Sequence, residues 1–128
     1  MDIMIGAKGI AETTVERSDT AYEIGSGTLL VYATPCMAAL MEGAACEAIS
    51  GCLSEEKTTV GIEIAISHIS ATPVGLEVRA EAVVENFDGK IISFRIEAFD
   101  EAGKIGEATH KRAIVSSQRF LDKAYSKL

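Results

Sequence analysis

From residue 57 onward the chain alternates apolar and polar side chains with a period of two, the signature of strands with one face toward a core. In TVGIEIAISHISA, residues 59–71, Val60, Ile62, Ile64, Ile66 and His68 share one face, and Gly61, Glu63, Ala65 and Ser67 take the other. After Pro73 and Gly75, a second run places Leu76, Val78, Ala80, Ala82 and Val84 inward against Glu77, Arg79, Glu81 and Glu85. Asp88-Gly89 then supplies a hairpin turn. Ile92, Phe94, Ile96 and Ala98 form the inward row of a third strand, Glu101-Ala102-Gly103-Lys104 reverses the chain, and Ile105 to Val115 makes the last strand. The pattern predicts a meander of four antiparallel strands.

Upstream the period changes. Between about residues 35 and 53 nearly every side chain is apolar or small, which predicts a helix enclosed by protein. Thr34 is a candidate N-cap and Pro35 fits the first helical position, where a missing N–H costs nothing. Gly51 and the polar Ser54-Glu55-Glu56-Lys57 end the pattern. A weaker strand is expected over residues 7–17, where Ile10 and Val15 are the only large apolar residues. Residues 18–33, with Gly25 and Gly27, predict a mobile loop or short helix that could cover a pocket. The order is one strand, one buried helix and a meander, an α+β arrangement in which about five strands curl around one long helix. Residues 1–128 are expected to form a single domain.

Composition narrows the function. The 19 acidic residues against 12 basic ones give a net charge of −7, which disfavours a nucleic-acid partner. Cys36, Cys46 and Cys52 form no CxxC pair and no secretory leader opens the chain, so reduced thiols and a cytoplasmic location are expected. Glu42 and Glu47 interrupt the longest apolar run, which argues against a membrane span. Two histidines and scattered cysteines give no metal-ligand spacing, and the glycines form no phosphate loop or dinucleotide fingerprint. Neither a metal nor a cofactor is implied.

Glu42 stands out because its neighbours one turn away are Ala38, Ala39, Ala45 and Cys46, and an unpaired buried carboxylate is costly. It serves either as a reactive acid or as a carboxylate that reaches solvent at a gap or bonds across an interface. Glu47 points elsewhere around the helix and is read as peripheral. His68 ends an apolar row facing that helix, so imidazole and carboxylate could converge on one pocket, although core histidines are often merely satisfied. Gly61 either packs closely or offers its N–H to a developing oxyanion. Lys111 and Arg112 point to opposite sides of the last strand, and one of them could meet substrate. His110 shares the face of Arg112 as a supporting residue. Cys36 and Cys46 have no visible base and read as small packing residues.

The segments YATPCMAALMEGAACEA, TVGIEIAISHISATPVGL and GEATHKRAIV resemble those of fluoroacetyl-CoA-type thioesterases of the hotdog fold. Thr34, Glu42 and His68 match the family's Thr, Glu and His in order and spacing, and Gly61 and Arg112 match as well. The resemblance implies an acyl-CoA thioesterase with Thr34, Glu42 and His68 as catalytic residues and Gly61 and Arg112 in substrate binding. Glu42 would act on the thioester carbonyl as general base for water or as nucleophile through a mixed anhydride. Gly25, Ser26, Gly27 and Thr28 stand where the fluoroacetyl-selective member has aromatic lid residues, so the acyl group stays open. Acyl-CoA binding without hydrolysis is the alternative. A hotdog dehydratase or hydratase is disfavoured, because there the histidine precedes the acid. Eight helical residues place Thr34 roughly 12 Å along the axis from Glu42. Either the chain folds back near Thr34 or the two meet across a homodimer interface, alone or within a higher oligomer, and the dimer is the expectation.

Overall fold

The computed structural model describes residues 2–128. Along the chain lie β1 (Lys8–Thr14), a single 3-10 turn (Arg17–Asp19), α1 (Ala21–Ile24) and α2 (Thr34–Ala48). They are followed by β2 (Lys57–His68), β3 (Glu77–Phe87), β4 (Ile91–Asp100), β5 (Gly103–Ser116) and α3 (Ser117–Tyr125). The five strands form one antiparallel sheet in the order β1-β3-β4-β5-β2. This is the expected α+β architecture, with α2 laid against the sheet.

The connectivity differs from a four-strand meander. Only β3, β4 and β5 follow one another across the sheet, whereas β2 lies at the far edge and pairs with β5. Residues 69–76 separate β2 from β3, a connection too long for the two-residue hairpin that would force them together. The segment 18–33 holds the 3-10 turn and α1, and bridges from Tyr32 to Thr20 and from Val31 to Pro73 tie its end down. α3 is a further element that the alternation did not announce.

The core lies between one face of α2 and the sheet. Met37, Met41, Ala44, Ala45 and Ala48 are buried against Val78, Ala80, Ala82 and Val84 of β3 and Ile92, Phe94, Ile96 and Ala98 of β4. Full burial of a side chain such as Phe94, Ile92 or Met41 contributes about 1.5–3 kcal/mol. The helix is not enclosed all round: Pro35, Ala39, Gly43 and Cys46 remain exposed on its outer side. On β1 the residue facing the helix is Gly9, while Ile10 is 51% exposed. A Cβ at Gly9 would overlap the backbone of Ala44 and Ala48, so the glycine sets how closely β1 approaches α2.

One irregularity positions the site. The β2–β5 register shifts between Gly61 and Glu63, a bulge at Ile62 that reverses the inward-outward phase. Ile64, Ile66 and His68 keep the expected row, opposite His110, Ala108 and Gly106. Val60 and Ile62 leave it. Ile62 is 52% exposed, and Gly61 turns inward opposite Arg112.

Candidate active site

Two clusters of the candidate side chains form, one at each end of β2. The first is built on Arg112 of β5, which is 7% exposed and anchored by Thr59 at two points. Its Nε donates to Thr59 Oγ1 at 2.9 Å and its Nη2 to the Thr59 carbonyl at 3.1 Å. The remaining branch, Nη1, donates to Glu42 Oε2 at 2.9 Å. A guanidinium fixed on one side thus carries a carboxylate on the other through a charge-assisted bond. The Glu42 side chain is 41% exposed, so the carboxylate is not sealed in the core as its helical neighbours suggested. It is held at the rim of the sheet, paired with Arg112 and open to solvent.

His110 completes this cluster. Its Nδ1–H donates to the Glu63 carbonyl at 2.8 Å, which leaves the Nε2 lone pair to accept from Arg112 Nη1 at 3.2 Å. The ring stacks on Phe94. Burial, and then the nearby Arg112 charge, push the imidazole's pKa down against its bond to Glu63, so the ring is neutral and the 3.8 Å approach to Glu42 is no ion pair. Gly61 supplies room: a Cβ there would collide with Glu42 Oε2 and stand 3.2 Å from Arg112 Nη1 and 3.3 Å from His110 Cε1.

The second cluster joins Thr34 and His68. α2 begins at Thr34 with Ala33 as N-cap, and the Thr34 side chain makes no capping bond. Its Oγ1 lies 2.8 Å from His68 Nδ1. The helix-cap reading is corrected: the hydroxyl is engaged with imidazole, and Pro35 sits in the first turn, where its missing N–H costs nothing. His68 Nε2 is buried and has no hydrogen-bond partner among the described residues. A buried polar nitrogen of this kind calls for a ligand or a partner group. Burial lowers the His68 pKa, so the ring is neutral at pH 7.

A pH dependence follows. Both histidines have folded pKa values below the ordinary 6.5, so the unfolded chain binds more protons in the window just below that pH. Stability is fully present above pH 6.5 and falls as pH drops toward the depressed folded values. The thermal midpoint is expected to fall between pH 7.5 and 5.5, and His68→Gln should flatten part of that slope. A slope unchanged by His68→Gln would contradict the assignment.

Beside Thr34 and His68 opens a cavity of about 300 Å³, lined in part by Ala21, Ser26, Val31, Tyr32, Ile69 and Ala71. A larger cavity of about 590 Å³ is bounded by Ala65, Ser67, Arg95, Glu97, Glu107 and Thr109 and includes none of the five predicted site residues. Thr34 and His68 come together, as do Glu42, Gly61 and Arg112, but the two groups do not touch within the chain. Glu47 and Lys111 are exposed. Burial, then the nearby Asp19 charge, raise the Cys36 pKa and keep the thiol protonated, which suits packing and not attack. Sequence reasoning missed Thr59, whose inward position depends on the bulge at Ile62, and gave His110 only a supporting place. Among the described residues no group of side chains is arranged to hold a metal, and no helix is long and apolar enough to cross a membrane.

Residues 15–118 match the family model described as fluoroacetyl-CoA-specific thioesterase. The chain belongs to this family. The fluoroacetyl-CoA thioesterase of Streptantibioticus cattleyicolor is 35% identical over 97 residues, spanning 76% of this chain and 70% of that protein. A solved structure of a fluoroacetyl-CoA thioesterase superposes with a TM-score of 0.94 at 28% identity, covering 100% of this chain and 99% of that one. A hot-dog-like protein from Thermanaerovibrio acidaminovorans, 19% identical, superposes with a TM-score of 0.86 over 97% of this chain and 92% of its own, which shows the shared hotdog fold.

Proposed function

We propose that this chain hydrolyses a small acyl-CoA thioester in a site completed by a second copy of itself. The family assignment carries thioester hydrolysis on acyl-CoA. The observation that carries the site is the Glu42 carboxylate, bonded to Arg112 yet 41% exposed beside the neutral His110. Positioned by Arg112, it acts on the thioester carbonyl either by taking a proton from attacking water or by attacking directly. As the C–S bond breaks, the sulfur leaves as a thiolate that needs a proton. A neutral imidazole whose Nδ1 accepts from the Thr34 hydroxyl presents Nε2–H, the nitrogen that has no partner here, as a hydrogen-bond donor to the departing sulfur. The proton itself comes from the water that Glu42 deprotonates or, in direct attack, from solvent.

The two clusters lie too far apart to act together within one chain, since helix rise alone separates Thr34 from Glu42 by roughly 12 Å. A two-fold dimer removes the separation. β2 is an edge strand bonded only to β5, with Ile62 exposed, and the outer side of α2 carries small residues. Antiparallel pairing of two β2 edges sets the His68 end of each beside the Gly61 end of the other. Thr34 and His68 of one copy then face Glu42 of its mate. The cavity of about 300 Å³ by His68 would receive the acyl group, and its size suits a small one.

A thiol-release assay across straight-chain acyl-CoAs tests the reading. Turnover is expected to be highest for the shortest acyl groups and to fall as the chain lengthens. Stabilisation by acyl-CoA with no thiol released over hours would favour binding without hydrolysis.

A further inference from the structure

Seven basic residues take part in no ion pair among the described residues: Lys8, Lys57, Lys90, Lys111, Arg119, Lys123 and Lys127. Five of them gather at one end of the sheet. Lys57 opens β2 opposite Ser116, the Lys90 carbonyl accepts from Ile114 N, and the Ser117 N–H that starts α3 donates to the Glu56 carbonyl. Arg119, Lys123 and Lys127 follow at helical spacing along one side of α3 and its end. Residues 117–128 carry three cations and one acid, a net +2, whereas the remaining chain carries −9. Of the acids at this end, Asp88 accepts from Lys90 N and Ile91 N, Asp122 from Gln118 and Glu56 from Ser54, while Glu55 is exposed without a partner among the described residues, so the five cations outnumber four acids by one.

This end also holds Glu42 and Arg112, since Arg112 pairs with Gly61 and with Ile92 near the start of β4. Four residues of strand, ~13 Å at ~3.3 Å each, separate Arg112 from Ser116. An extended pantetheine arm spans such a distance. Phe120, 45% exposed, and Tyr125, 67% exposed, offer aromatic surface on α3 beside the cations. We infer that α3, with Lys57 and Lys90, receives the 3′-phosphorylated ADP part of coenzyme A while the thioester lies at Glu42. The inference rests on the thioesterase reading for the position of the thioester. Charge complementarity supplies the rest, because a multiply charged anion meets repulsion over most of this acidic body and attraction at this end.

The test compares acetyl-CoA with acetyl-pantetheine, the same thioester with and without the nucleotide, on the full chain and on the triple variant Arg119→Gln/Lys123→Gln/Lys127→Gln. The variant should raise KM for acetyl-CoA about tenfold with kcat unchanged, and leave KM for acetyl-pantetheine within twofold. Added salt should raise the parent's KM for acetyl-CoA and flatten in the variant. Titration of CoA alone provides a readout independent of catalysis. A parent that cleaves neither thioester, yet binds CoA more tightly than the variant, overturns the thioesterase reading and keeps the inference. Equal CoA affinity in both proteins overturns the inference, as does an equal rise in KM for both thioesters, which would mark α3 as structural.

Discussion

Glu42→Gln is expected to lower kcat/KM for acyl-CoA hydrolysis by about 100- to 10,000-fold, the range associated with loss of a positioned acid or base. The glutamine amide oxygen can still accept from Arg112 Nη1, and the side chain is 41% exposed, so packing changes little. Arg112 keeps an acceptor but loses its counter-charge, so a stability cost of about 1 kcal/mol is expected, small beside the catalytic effect. Thiol release read beside a thermal midpoint separates the two effects. Parent-like turnover would remove Glu42 from the chemistry.

The second large effect is expected at Gly61. In Gly61→Ala the new methyl meets three groups that differ in their freedom to yield. Arg112 is held by Thr59 and His110 by the Glu63 carbonyl, so neither can retreat. Glu42 is the end of a flexible, half-exposed side chain, and it gives way toward solvent. The stability cost should therefore be modest, about 1 kcal/mol, at the low end for overpacking. The catalytic cost is larger, since displacement of a reacting group by ~1 Å can lower the rate ~100-fold. Measured kcat and unfolding free energy should diverge in this way. A variant that is equally active, or one whose activity loss merely tracks unfolding, would contradict Gly61 as the seat of the carboxylate.

Much of this arrangement is legible in the alternation itself. The inward rows of β3 and β4 are buried as their period predicts, because both strands are central in the sheet and face α2 on one side. β2 is harder to read. Its spacing is regular in sequence, but the bulge at Ile62 adds a residue to one strand without a mark in composition, so Val60, Gly61 and Ile62 exchange faces. That exchange brings Thr59 and Gly61 onto Arg112. Glu42 drew notice as a carboxylate among alanines, whereas its partner, 70 positions away, depended on the sheet register. Thr34 carries a strong local cap signal that a tertiary bond to His68 overrides. α3 was missed because nothing packs its apolar side within the chain: Phe120, Leu121 and Tyr125 are all exposed.

Family membership fixes the reaction class, and the proposed function makes the two separated side-chain clusters of one chain the halves of a site shared by two copies. Subunit complementation tests that division directly. Glu42→Gln and His68→Ala chains, each inactive alone, are mixed in equal amounts under conditions that exchange subunits. If each site takes Glu42 from one chain and Thr34 with His68 from the other, every mixed dimer regains one intact site, and activity returns to about one quarter of the parent. If all three residues act within one chain, no mixture regains activity at any ratio, and the two-chain site is contradicted.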